Sequence, residues 1–126
     1  MSMDVPVLVI EDDDDVRELI AERLRAVGYQ VECAASGEEG VAKARVEVPR
    51  LVILDILLPG IDGWEALHQI RSGRPPGSVA AMVVSIVDAD HPPAPVDAYI
   101  VKPFRSSQIV DKVAELIGPP RSEVMT

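Results

Sequence analysis

Apolar residues along this chain follow two kinds of pattern, and the alternation between them sets the expected fold. Leu51-Val52-Ile53-Leu54 is an unbroken aliphatic run, and so is Val5 to Ile10 apart from Pro6 at its start. Runs without polar alternation predict strands covered on both faces, the habit of parallel sheets in α/β domains. Gln30 to Ala34 instead alternates, with Val31 and Cys33 facing in, and suits a short outer strand. Ala81 to Val84, ending at Ser85, and Ala98 to Val101, ending at Lys102-Pro103, complete five strands.

Between the strands the apolar spacing becomes helical. Val16, Leu19, Ile20, Leu24 and Val27 mark a first helix that Gly28 stops. Ser36 followed by Glu39 is a capping box for a weaker helix through Val41, Ala42 and Ala44. Asp62 with Glu65 opens a third helix carrying Trp64, Leu67 and Ile70. A loop with Pro75-Pro76-Gly77 spans Ser72 to Ser78. The final helix, Ser107 to Ile117, shows Ile109, Val110, Val113, Leu116 and Ile117 at core spacing before Gly118-Pro119-Pro120. Strands alternating with helices predict right-handed βαβ units in a doubly wound parallel sheet, with every strand's C-terminal end on one edge.

Asp88 to Val96 departs from this pattern. Prolines 92, 93 and 95 remove three backbone donors, an interior proline costs ~3 kcal/mol in a helix, and residues before proline favour extended backbone. An extended crossover is expected there, with Ala89 to Val96 exchanging amides faster than the last helix and one sheet face left thinly covered by Val87 and Val96.

Composition narrows the function classes. The 126 residues suffice for one domain, and with 48% apolar but 3% aromatic residues its core must come from Val, Ile, Leu and Ala. A net charge of −9 disfavours nucleic acid and anionic membranes and favours cations or basic partners. The lone Cys33 forms no internal disulfide, no apolar run reaches membrane-spanning length, and no signal-peptide pattern precedes Val5, so a cytoplasmic location is expected. His68, among polar neighbours with no further ligand at metal-binding spacing, is expected on the surface.

The strand ends carry the candidate chemistry: Glu11-Asp12, Asp55, Ser85 and Lys102. Asp55 alone has a plain structural reading, a buried carboxylate satisfied by backbone N–H groups, and Asp13 to Asp15 suit helix capping and solvated surface. In a flavodoxin-like strand order of 2-1-3-4-5, however, the first and third strands are neighbours and their acids cluster. Three carboxylates so close need a cation, and an all-oxygen site with room for water and a phosphate oxygen suits Mg²⁺. A carboxylate there can attack a phosphoryl donor, while Lys102 supplies a point charge and Ser85 a hydrogen bond.

With these residues in place the sequence resembles the receiver domains of two-component response regulators, across nearly its whole length. The resemblance rests on Val7-Leu8-Val9-Ile10-Glu11-Asp12, on Asp55 followed by Leu58-Pro59-Gly60-Ile61-Asp62-Gly63, on Ser85, and on Tyr99 three residues before Lys102-Pro103-Phe104. It implies a CheY-like receiver over residues 1–120, with a flexible tail at 121–126. Asp55 would be the phosphoacceptor, and Asp12, Asp55 and the Leu57 backbone carbonyl would hold Mg²⁺, with Glu11 acting through water. Ser85 and Tyr99 would form the switch pair, and a cis bond before Pro103 would aim Lys102. The phosphoryl donor would be a histidine kinase or histidine phosphotransfer protein, and output would run through protein contacts, without direct nucleic-acid or membrane binding. The family fits a full fourth helix between the counterparts of Ser85 and Lys102; here that interval is several residues short, so the helix is expected shortened or missing and the output surface altered.

Two other readings compete. A pseudo-receiver would keep the fold as a phosphorylation-independent binding module, which the intact acids and Lys102 disfavour. An Asp-nucleophile phosphatase would want a second acid two residues after the nucleophile, where Leu57 stands. With no DNA-binding or catalytic output segment in the sequence, the expectation is a single-domain regulator or a receiver cut from a larger protein.

Overall fold

A computed structural model describes residues 7–87 and 92–120. The elements run β1 (Val7–Ile10), α1 (Asp14–Ala26), β2 (Val31–Ala34), α2 (Gly37–Val46), β3 (Leu51–Leu54), α3 (Gly63–Arg71), β4 (Ala80–Ser85), β5 (Ala98–Val101) and α4 (Ser106–Ile117). All strand pairs are parallel, in the order β2-β1-β3-β4-β5. The expected fold and strand order are therefore observed. Val5, Pro6 and the expected tail at 121–126 lie outside the described residues.

The unbroken apolar runs are explained by burial on both sides. Along β1 and β3, Leu8, Ile10, Val52 and Leu54 join Val41, Ala44, Ala66, Leu67 and Ile70 of α2 and α3. The alternate residues Val7, Val9, Leu51 and Ile53 join Ile20, Ala21, Leu24, Ile109 and Val113 of α1 and α4. β2 sits at one sheet edge, and its alternation follows: Val31 is buried, Glu32 exposed and Cys33 half-buried.

The helix starts follow the sequence signals with small differences. Asp13 caps α1, accepting from the Asp15 and Val16 N–H groups. Ser36 caps α2 by accepting from the Glu39 N–H, but the Glu39 carboxylate reaches back one residue further than a capping box requires, to the Ala35 N–H. Asp62 caps α3, while Glu65 accepts from Gln69 instead of completing a box. His68 is exposed.

Between β4 and β5 the described residues 92–97 contain no helix. Of the segment Asp88–Val96, residues 88–91 lie outside the described set. The crossover is tied down more firmly than the proline content alone suggests. The Asp97 N–H donates to the Ala81 carbonyl at 2.8 Å, and the Ala81 N–H donates to the Asp97 carboxylate at 2.9 Å. Arg71 bonds the Val79 and Pro95 carbonyls. Ala94 and Val96 pack against the α2/α3-side core, so Val96 covers the sheet as expected, whereas Val87 stays 40% exposed.

Candidate functional site

Register brings the site together. Ile10 lies opposite Leu54, and the ladder continues one step as the Asp55 N–H donates to the Ile10 carbonyl at 3.1 Å. Ser85 lies opposite Val101, and the Lys102 N–H donates to the Ser85 carbonyl at 2.8 Å. Because side chains alternate along a strand, Glu11, Asp55 and Lys102 continue the face that carries Val9, Ile53 and Ile100. The Lys102 Nζ lies 2.8 Å from Glu11 Oε1 and 2.9 Å from Asp55 Oδ2.

These contacts are largely withdrawn from water, with Glu11 2% and Asp55 6% exposed. Burial pushes the Glu11 carboxyl above its usual range, and the Lys102 hydrogen bond only partly offsets this. For Lys102, burial favours the neutral amine, but the hydrogen bonds to Glu11 and Asp55 outweigh it and hold the ammonium above its ordinary value. The site therefore keeps a cation at its centre.

Asp12, which is exposed, completes a cluster in which carboxylate oxygens of Glu11, Asp12 and Asp55 lie within 4.8 Å of one another. The donor set is all oxygen and anionic, which fits a hard divalent cation such as Mg²⁺.

The loop after β3 shapes the other side. Asp55 Oδ1 accepts from the Leu57 N–H at 3.1 Å, and the Ile56 carbonyl accepts from the Leu58 and Gly63 N–H groups. Gly63 is required by close approach: a Cβ there would stand 2.2 Å from the Asp55 carbonyl oxygen. Gly60 turns with φ +77° beside Glu38, whose carboxylate accepts from the Ile61 N–H at 3.0 Å. That hydrogen bond holds the Glu38 carboxyl below its usual range.

Ser85 is fully buried, and its Oγ accepts from the Val87 N–H at 3.3 Å. The Tyr99 hydroxyl donates to the Val87 carbonyl, so the Val87 backbone touches both side chains. The Lys102–Pro103 peptide bond is cis. Sequence reasoning overlooked Glu38, Arg71 and Asp97, which act mainly on distant backbone groups, and Arg17, whose guanidinium donates to the Glu11 carbonyl at 2.9 Å.

The sequence profile of the response regulator receiver domain matches residues 7–114. The chain belongs to that family. This receiver is 31% identical over 118 residues to the probable transcriptional regulatory protein TcrX of Mycobacterium tuberculosis, covering 90% of this chain and 50% of that one. It is 30% identical over 125 residues to the alkaline phosphatase synthesis transcriptional regulatory protein PhoP of Bacillus subtilis, covering 97% and 51%. The chain thus spans about half the length of these curated relatives. A CheY-like receiver domain protein from Methanospirillum hungatei superposes with a TM-score of 0.79 at 31% identity, over 86% of this chain and 90% of that one. The response regulator TrrA from Thermotoga maritima, solved in complex with Mg(2+)-BeF, gives 0.74 at 32% identity over 88% and 97%. The receiver fold is a signalling domain of two-component systems. Among its described residues no helix is long and apolar enough to cross a membrane.

Proposed function

We propose that this receiver, comprising residues 1–120, acts in the cytoplasm and accepts a phosphoryl group on Asp55 from a histidine kinase or histidine phosphotransfer protein. The observation that carries the reading is the Lys102 ammonium in contact with Glu11 and Asp55, beside an acid cluster of Mg²⁺-binding character. An Asp55 carboxylate oxygen attacks the phosphorus of the donor phosphohistidine. The P–N bond breaks, its electron pair stays on the imidazole nitrogen, and an aspartyl phosphate forms. Asp12, Asp55 and the Leu57 carbonyl would hold Mg²⁺, with Glu11 acting through water; the ion supplies charge neutralisation for the incoming phosphoryl oxygens. Lys102 exchanges part of its contact with Asp55 for a phosphoryl oxygen, which keeps its charge paired throughout.

Ser85 then donates its hydroxyl hydrogen to a second phosphoryl oxygen. The Val87 N–H rests on the Ser85 Oγ and the Val87 carbonyl accepts from Tyr99, so displacement of Ser85 is felt at the Tyr99 ring. Output is a change in protein contacts, and the net charge of −9 supports a protein target over nucleic acid for this segment.

Incubation with Mg²⁺ and acetyl phosphate, read by intact mass, tests the proposal. A gain of one phosphoryl group that chelation of Mg²⁺ abolishes supports it. No uptake by the folded protein would favour the pseudo-receiver reading, a binding module that works without phosphate.

A further inference from the structure

Glu11 leaves the sheet with only one side of its peptide partnered by β2. Its N–H donates to the Ala34 carbonyl at 3.0 Å, but β2 ends at Ala34 and the chain turns at Ser36 into the cap of α2. The Glu11 carbonyl instead accepts from a side chain, Arg17 Nη1, at 2.9 Å. Glu11 is 2% exposed, and a buried carbonyl without a partner is costly, so a donor from α1 stands where the strand has run out.

The same guanidinium is anchored on its other side. Arg17 Nη2 lies 2.5 Å from Asp14 Oδ1, and the Arg17 side chain is 16% exposed. Its planar fork therefore ties the end of β1 to the first turn of α1. Asp12 lies between these two points. The Arg17 contact fixes the peptide plane that joins Glu11 to Asp12, and the Asp13 N–H, donating to Glu11 Oε2 at 3.1 Å, fixes the plane that joins Asp12 to Asp13. Among the described residues no hydrogen bond or ion pair restrains the exposed Asp12 carboxylate, so these two planes set its direction.

We propose that Arg17 is a positioning residue for the cation site, acting through the Glu11 carbonyl to hold the Asp12 carboxylate beside those of Glu11 and Asp55. The inference rests on the reading of that cluster as a Mg²⁺ site. Charge alone predicts the reverse effect, since a guanidinium near three acids repels an incoming cation and its removal should tighten binding. Positioning and charge therefore differ in sign.

Calorimetric titration of the folded protein with Mg²⁺ at constant ionic strength separates them. Arg17→Met should weaken binding about tenfold, the scale on which outer contacts to metal ligands act. Arg17→Lys, whose ammonium can still donate to the Glu11 carbonyl, should weaken it about threefold. In phosphoryl uptake from acetyl phosphate, the Mg²⁺ concentration giving half the maximal rate should rise in the same order, while saturating Mg²⁺ restores the wild-type rate. Cooperative thermal unfolding shows that each variant folds, and if Arg17→Met does not, the loss in Arg17→Lys carries the test. Unchanged or tighter Mg²⁺ binding by the folded variants would overturn the role of Arg17 alone. No Mg²⁺ binding by the wild type would overturn the cation site itself, and this role with it.

Discussion

Lys102 Nζ stands 2.9 Å from Asp55 Oδ2 although the two residues are 47 positions apart, and it holds Glu11 Oε1 at 2.8 Å in the same grip. One ammonium thus offsets two buried carboxylates. Lys102→Ala should leave both facing each other unpaired and cost about 2–3 kcal/mol of stability in metal-free buffer. Mg²⁺ should then stabilise the variant more than the wild type, because the vacated charge makes the acids a stronger cation site. Chemical denaturation with and without Mg²⁺ measures both effects; a loss below about 0.5 kcal/mol, or equal Mg²⁺ increments, would count against this role.

The phosphoryl group on Asp55 should be long-lived. Hydrolysis needs a water held in line with the acyl phosphate bond, and the side chains two residues beyond Asp55 and Ser85 are Leu57 and Val87, which offer that water no hydrogen bond. Both are partly exposed, at 51% and 40%, so polar replacements fit without burying a charge. Leu57→Asn and Val87→Glu should each speed loss of the group, followed by intact mass after the donor is removed. A wild-type lifetime of seconds that neither change alters would contradict the expectation.

Arg71, in α3, holds the residue ahead of β4 and the proline crossover through the Val79 and Pro95 carbonyls. Arg71→Ala should cost about 1–2 kcal/mol, the range expected when hydrogen bonds from a charged donor are lost. Hydrogen exchange should rise at Val96 and Asp97 while Ile109 and Val113 in α4 keep their protection. In the wild type, Ala94 and Val96 should already exchange faster than those helical amides. Equal rates in the two regions, or an unchanged crossover in the variant, would show that Arg71 does not restrain it.

Acid should weaken the start of α2 through Glu39. The Ala35 N–H donates to its carboxylate at 2.9 Å, and this bond, with further help from Lys43, holds the carboxyl below its ordinary value of 4.5. A depressed folded-state pKa contributes stability above the unfolded value and loses it as pH falls through the folded one. Glu39→Ala should therefore cost about 0.5–1 kcal/mol at pH 7. The difference from wild type should shrink below pH 4.5. A difference that stays constant down to acid unfolding would mean that the carboxylate charge is irrelevant.

The sheet could be read from the sequence because β1 and β3 are buried on both faces, which leaves unbroken aliphatic runs that end abruptly in acids. Once strand order was inferred, Glu11, Asp55 and Lys102 fell on one edge with no further information. The restraints around them were not legible. Glu38 to Ile61 spans 23 residues, Arg71 to Pro95 spans 24 and Asp97 to Ala81 spans 16, and each meets a backbone N–H or carbonyl that every residue type shares. Such partners carry no side-chain signature. The prolines correctly argued against a regular helix over residues 92–96, but prolines say nothing of Arg71, so the clamping of that segment emerged only from tertiary geometry.

Locating the phosphoryl group tests the central claim most directly. An acyl phosphate is reduced by borohydride to an alcohol, so protein treated with Mg²⁺ and acetyl phosphate, then reduced and digested, should carry homoserine at position 55. Asp55→Asn should show neither phosphoryl uptake nor the reduced product, and chelation of Mg²⁺ should abolish both in the wild type. A reduced residue at Asp12 or elsewhere, or undiminished uptake by Asp55→Asn, would contradict the assignment of Asp55 as the phosphoacceptor.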